Sequence, residues 1–255
     1  MVELNQIPKV ILDIQKKFID TGFEIYLVGG CVRDLLQNKK PKDWDFTTSA
    51  TPEEMLKIFP DGFYDNKFGT VGIPLEKLIE TEHPGVVEIT TFRTEHGYAD
   101  RRHPEKVEWG KTIEEDLSRP DFTMNAMGLR LKYSVISRNK VTRDPQLDSE
   151  NDGISHFVRN DNNFEIIDPY NGQADLKNKL IRAVGDPNQR FKEDALRLMR
   201  AIRFAAQLGF QIEEKTLEAI TKDASLLVEI AKERIKDELM KLLASNFPYE
   251  GIMLL

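Results

Sequence analysis

Ile25-Tyr-Leu-Val-Gly-Gly-Cys-Val-Arg-Asp34, followed by Asp43-Trp-Asp-Phe46, is the stretch on which the reading of this chain turns. The apolar run Ile25–Val28 predicts a short buried strand. It ends in Gly29-Gly30, where backbone can approach a ligand with no side chain in the way. A helical pattern follows over 32–36. Backbone N–H groups at such a turn and helix start, together with Arg33, suit a polyphosphate. Asp43 and Asp45 are alternate residues and on a strand would share one face. Two like charges in register repel unless a cation lies between them, and oxygen ligands beside a phosphate site favour Mg²⁺. Taken singly, Gly-Gly reads equally as a plain turn and Asp-x-Asp as an exposed turn. Taken together at this spacing, the pieces describe a site for metal-assisted phosphoryl or nucleotidyl transfer.

Working outward, Leu4–Ile19 has helical periodicity, with Ile7, Val10, Ile11, Ile14 and Phe18 as its apolar stripe. Thr51-Pro-Glu-Glu54 predicts a capped helix start and a helix running to about Phe59. Gly69–Ile73 and Val86–Phe92 are rich in β-branched residues and predict strands. Strands mixed with helices in this order predict a mixed α/β sheet covered by helices on one face. The chain then turns polar and loop-like from Arg93 to Gly110. Helical signals return at Thr112–Leu117 and around 124–131. Residues 132–163 are rich in Asn, Asp and Ser without a period, and predict a surface insertion. A strand at 164–167 leads into the turn Asp168-Pro-Tyr-Asn-Gly172. Beyond Asp186 the pattern is wholly helical, with stretches at 188–208, 213–222 and 226–243. The expected organisation is a head over 1–185 and a helical neck over 186–255.

Composition sets outer bounds. The 255 residues carry a net charge of −7, so bulk charge does not draw the chain to nucleic acid, and any such contact rests on local basic patches such as Arg101-Arg102-His103 or the series Arg197, Arg200, Arg203. One cysteine, Cys31, excludes an internal disulfide and fits a reducing, cytoplasmic compartment. No cysteine–histidine cluster supports zinc, and no segment approaches the ~20 apolar residues of a membrane span.

Gly29-Gly30-x-Val32-Arg33-Asp34 with Asp43-x-Asp45 resembles the first motif of the class II tRNA nucleotidyltransferase and bacterial poly(A) polymerase family. That resemblance implies a polymerase-β-like nucleotidyltransferase head followed by an all-helical neck. It makes Asp43 and Asp45 the catalytic ligands of two Mg²⁺ ions, and Gly29, Gly30 and Arg33 the triphosphate site. Glu88 is either a third carboxylate for the metals or a solvated strand residue. Tyr98, Asp100, Arg102 and Pro104 match the family's flexible loop that helps switch from cytidine to adenosine addition; as residues alone they read as a solvated loop. Arg119-Pro-Asp-Phe-Thr-Met-Asn-Ala126 is similar to the family's Arg-Arg-Asp motif, which contacts ribose and phosphates. There Asp121 would accept from a ribose hydroxyl, with Asn125 on the same helix face, while Pro120 stands where the family has a second Arg. Asp168–Gly172, with Leu176 and Arg182, resembles the motif that couples the two domains during closure; a turn and helix cap is the plain alternative.

Glu193-Asp-Ala-Leu-Arg-Leu-Met-Arg200 resembles the family's base-reading motif. Its plain reading is intrahelical pairing of Glu193 or Asp194 with Arg197. The family reading makes Asp194 and Arg197 a protein template, with Arg200 beside them. Cytosine and adenine both present an amino donor beside a ring-nitrogen acceptor, which Asp194 and Arg197 complement. Guanine and uracil reverse that pattern, and each unpaired buried group costs roughly 1–3 kcal/mol. Ala231–Glu238 resembles the last family motif, with a structural role. The activity implied is template-independent addition of CMP and AMP, from CTP and ATP, to tRNA 3′ ends. A bacterial poly(A) polymerase or an A-adding relative is the nearest alternative, and a non-catalytic RNA- or nucleotide-binding relative a more distant one. Family members continue into further helical domains, so a chain stopping at Leu255 is expected to be C-terminally truncated.

Overall fold

A computed structural model describes residues 2, 4–64, 68–78, 85–97, 106–132 and 163–255. Helix α1 spans Lys9–Asp20 and buries Val10, Ile11, Ile14 and Phe18 of the stripe expected of it, while Ile7, also buried, lies in the bend before it. It begins later than the periodicity suggested: Pro8 disfavours a helical Ile7, leaving one 3₁₀ turn at Leu4–Gln6. Strand β1 (Ile25–Val28) ends at Gly29, whose φ of +74° is a conformation glycine adopts without strain, and α2 (Gly30–Leu36) departs from it. Strand β2 covers Asp45–Thr48 and α3 covers Pro52–Ile58. The α3 start is a full capping box: Glu54 N–H donates to the Thr51 hydroxyl, and Thr51 N–H donates to the Glu54 carboxylate at 2.8 Å. Strands β3 (Phe63–Tyr64), β4 (Thr70–Pro74) and β5 (Val86–Thr91) follow.

Two expectations fail next. The stretch 93–110 is not all loop, because β6 (Arg93–His96) pairs antiparallel with β7 (Lys106–Trp109) as a separate ribbon. After the short α4 (Ile113–Asp116), the helix expected around 124–131 is a 3₁₀ turn at Thr123–Asn125 and then strand β8 (Gly128–Leu131). A short apolar run buried on both faces carries no period that separates strand from helix. Strand β9 (Phe164–Ile167) closes the sheet. The polar stretch 132–163 falls almost wholly outside the described residues.

The strand order is β3-β4-β5-β2-β1-β8-β9, with β2 and β5 parallel and the other neighbours antiparallel. Leu27, Phe46, Val71, Ile89 and Leu129 line one face and form a core with α1 and α3. The opposite face carries a row of directly paired residues, Phe63, Gly72, Glu88, Asp45, Val28 and Gly128.

Helix α5 (Gly172–Lys177) begins where the Asp168 carboxylate accepts from the N–H groups of Gly172 (2.6 Å) and Gln173 (2.9 Å). It lies hard against the Thr123 turn: a Cβ on Gly172 would be 2.2 Å from the Thr123 carbonyl oxygen. Gly172→Ala is therefore expected to cost roughly 1–3 kcal/mol or more and to lower Tm by several degrees. A thermal melt within a degree of the parent would show that α5 does not need this contact. Strand β10 (Leu180–Ile181), α6 (Pro187–Glu193), α7 (Leu196–Leu208), β11 (Gln211–Ile212), α8 (Glu214–Asp223), a 3₁₀ turn (Ala224–Glu229), α9 (Lys232–Leu243) and α10 (Pro248–Met253) complete the chain. The neck is thus not wholly helical, since β10 and β11 pair in parallel. Phe191, Leu198, Ile202, Phe204 and Leu242 form a second core, which also takes in Phe122, Met124, Leu176 and Ile181 from before Gly185. Among the described residues no helix is long and apolar enough to cross a membrane.

Candidate active site

The site starts from the register of two parallel strands. Asp45 on β2 stands directly opposite Glu88 on β5. Like charges in that position are destabilising without a cation partner. Burial, then the Glu88 carboxylate, then Asp43, push the Asp45 carboxyl up to about 6. Among the described residues no hydrogen bond or ion pair reaches the Asp45 side chain. Asp43 is not on the strand, as the alternation suggested; it is exposed in the bend two residues before β2. Among the described residues no three acidic, His or Cys side chains close into a metal-holding group. A hard cation that takes one or two carboxylates and completes its shell from water and substrate phosphates still fits the Asp45–Glu88 pair.

The Gly29 turn passes beside this pair, since a Cβ on Gly29 would lie 4.0 Å from Asp45 Oδ2. Arg33, in the last turn of α2, donates to Asp34 (2.8 and 2.9 Å) and through Nη1 to Asn125 Oδ1 (3.0 Å). Its guanidinium lies 5.8 Å from the centre of the Phe204 ring on α7. The structure therefore joins Arg33 and Asn125 across 92 residues and sets the Arg33 guanidinium beside Phe204 of α7.

Asp121 and Asn125 do not share a helix face, because the segment between them is extended and then 3₁₀. Asn125 turns to Arg33, while Asp121 turns to α7. There its two oxygens meet Arg197 Nε (3.0 Å) and Arg200 Nε. Arg119 donates to Asp116 at 2.8 and 3.0 Å.

The helix expected over 188–208 breaks at Asp194-Ala195. Asp194 is extended, and its Oδ1 accepts from Leu196 N–H at 3.0 Å. Glu193 still reaches Arg197 at 2.6 Å, so the plain pairing is made by Glu193 and not by Asp194. Asp194 instead pairs with Arg234 of α9 at 2.9 Å. Asp194 and Arg197 are thus neighbours in chain but bound to different partners.

Sequence reasoning missed Arg234 as the partner of Asp194 and Asp116 as the partner of Arg119, and it put Phe204 on the face of Arg197 and Arg200 without placing it beside Arg33. Arg234 carried a signal, since it lies in the Ala231–Glu238 motif. In the coupling segment, Asp175 is buried and accepts from Thr123 (2.7 Å) and Arg182 (3.0 Å), and Arg182 also meets Glu213 at 3.1 Å. That links the 3₁₀ turn of the sheet domain to the start of α8. Tyr98, Asp100, Arg102 and Pro104 lie outside the described residues.

Comparison with known proteins bears on this arrangement. Residues 25–144 match the poly A polymerase head domain, and residues 209–255 match the probable RNA and SrmB-binding site of polymerase A. The CCA-adding enzyme of Limosilactobacillus reuteri (strain DSM 20016) is 39% identical over 98% of this chain and 54% of its own length. A crystal structure of the Bacillus stearothermophilus CCA-adding enzyme in complex with CTP superposes with a TM-score of 0.72 at 33% identity, over 97% of this chain and 52% of that one. A tRNA nucleotidyltransferase complexed with a primer tRNA and an incoming ATP analog gives a TM-score of 0.67 at 26% identity, over 94% of this chain and 59% of that one. The chain spans about half the length of the relatives it matches.

Proposed function

This chain belongs to the family of the poly A polymerase head domain and the CCA-adding enzymes, and we propose that it adds CMP and AMP, from CTP and ATP, to tRNA 3′ ends without a template. The observation that carries the reading is Asp45 opposite Glu88, with Asp43 in front and the Gly29-Gly30 turn alongside. The RNA 3′-hydroxyl attacks the nucleotide α-phosphate. A new 3′ O–P bond forms, the bond from the α-phosphorus to the bridging oxygen breaks, pyrophosphate leaves, and the hydroxyl proton passes to solvent. Two Mg²⁺ ions held by Asp43, Asp45 and Glu88 would supply Lewis acidity at the α-phosphate and stabilise the leaving group. Gly29 and Gly30 let the triphosphate approach the backbone, and Arg33 adds charge beside it. Asn125 holds Arg33 in place, and Arg119, Asp121 and Arg200 complete the nucleotide site.

Asp194 and Arg197 read the base edge. A carboxylate offers about four acceptor positions, so Asp194 can take an amino donor while keeping Leu196 N–H and Arg234. Residues 1–185 would serve as the transferase head and 186–255 as the neck that presents α7 to it, with Tyr98, Asp100 and Arg102 in the switching loop. With tRNA as its substrate, the reaction would belong to the cytoplasm.

The test incubates the protein and Mg²⁺ with tRNA lacking its 3′ CCA and resolves products at single-nucleotide length. Addition of three residues only when CTP and ATP are both present is the expected result. Long adenosine tails from ATP alone would replace the proposal with a poly(A) polymerase. A single adenosine added only to tRNA already ending in CC would replace it with an A-adding enzyme.

A further inference from the structure

Phe63 is the end of the paired row that contains the carboxylates. Phe63 stands opposite Gly72, Gly72 opposite Glu88, and Glu88 opposite Asp45. Directly paired residues point to the same side of a sheet, so the Phe63 ring and both carboxylates share a face. The ring does not stand away from the sheet. A Cβ on Gly72 would collide with it at 2.5 Å from Cζ and 2.9 Å from Cε2, so the ring lies across the glycine and next to the Glu88 strand. That puts it about two strand spacings, ~10 Å, from Asp45. It is nonetheless 44% exposed. A single exposed apolar residue is ordinary. One laid flat over a glycine in line with two carboxylates is a preformed stacking surface.

Which occupant it takes follows from the chemistry. In-line displacement puts the attacking oxygen and the leaving pyrophosphate on opposite sides of the phosphorus. The residues that suit the nucleotide, namely Arg33, Asn125, Asp121 and Arg197, all lie on the β1 and β8 side of Asp45. The attacking strand must then arrive over β5 and β4, where Phe63 is. We infer that the Phe63 ring stacks on the terminal unpaired base of the RNA and so positions its 3′-hydroxyl beside Glu88. Every base has a π-face, which suits an end whose identity changes with each addition. This rests on the nucleotidyl-transfer reading.

The test compares the parent with Phe63→Ala, Phe63→Leu and Phe63→Trp on tRNA lacking its 3′ CCA. Ala and Leu should raise KM for tRNA about tenfold and leave KM for CTP unchanged, while Trp keeps the parent values. Anisotropy of the same labelled RNA without nucleotide, in Ca²⁺, reads the contact independently of chemistry: Kd should rise about tenfold for Ala and Leu and stay at the parent value for Trp. Rescue by Leu, or a Kd for Ala within twofold of the parent, overturns the stacking role. Failure of the parent to add any nucleotide overturns the transferase reading instead, and the Kd series still decides the role of Phe63.

Discussion

Asp45→Asn is expected to lower nucleotide addition by roughly 10³-fold or more and, in metal-free buffer at pH 7.5, to raise Tm. The two effects have one cause. The Asp45 carboxyl titrates at about 6 in the fold, against 3.8 ordinarily, because burial, Glu88 and Asp43 all oppose its charge. The folded state therefore holds the proton more tightly than the unfolded chain. The stability tied to that proton is fully present below pH 3.8, falls between 3.8 and about 6, and is gone above. Asparagine removes the repulsion, so the variant should exceed the parent by on the order of 1–2 kcal/mol above pH 6, after allowance for solvent screening, and match it near pH 4. Melting curves at pH 4 and pH 7.5 check the sign. Mg²⁺ should raise the Tm of the parent at pH 7.5 and leave the variant unchanged, because binding to the folded state alone stabilises it. A variant that keeps full activity, or a parent indifferent to Mg²⁺, would remove Asp45 from the metal site.

The sequence was readable wherever a local rule sufficed. The stripe from Val10 to Phe18 needs only a 3.6-residue period, and α3 needs only the Thr51–Glu54 box. The strand around Val86–Thr91 follows from its β-branched run. Reading failed where the deciding partner is distant in chain. Glu88 stood evenly between ligand and solvated residue because parallel pairing with β2, which sets it opposite Asp45, leaves no mark on either strand alone. The helical period runs unbroken through Asp194, yet the helix breaks there, with the carboxylate taken by Leu196 N–H and by Arg234, 40 residues on. Gly128–Leu131 read as helix because its neighbours β1 and β9, not its own pattern, make it a strand. Family membership was legible because the Gly-Gly turn and the acidic pair are both local. Phe63 was not, since Gly72 beneath it is meaningful only once the register is known.

Glu238→Ala is expected to lower stability by about 3–5 kcal/mol, a fall in Tm on the order of 10 °C. Glu238 and Arg203 are 3% and 8% exposed and meet at 2.5 Å between α9 and α7. Arg203 also donates to Gln207 at 2.7 Å and lies 3.9 Å from the Phe204 ring centre, while Lys241 reaches Glu238 at 3.1 Å. Alanine leaves the Arg203 guanidinium buried without its acid, which is costlier than never having had the pair. The double change Arg203→Met with Glu238→Leu should accordingly recover most of the loss. Burial opposes the Glu238 charge, but Arg203 and Lys241 prevail and hold its carboxyl below the ordinary 4.5. Its contribution is thus present above pH 4.5 and lost as pH falls through the depressed value, so the gap between parent and Glu238→Ala should narrow in acid. The pair also bears on the site. Arg234 sits one turn before Glu238 on α9 and holds Asp194, so the two ion pairs pin α9 to the Asp194 segment, proposed above to read the base, and to α7 in parallel. Loosening one should soften the other. The double variant, stable but with only the Arg234–Asp194 pin, is expected to discriminate CTP and ATP from GTP and UTP less sharply than the parent. Unchanged discrimination in that variant would assign Glu238 to stability alone.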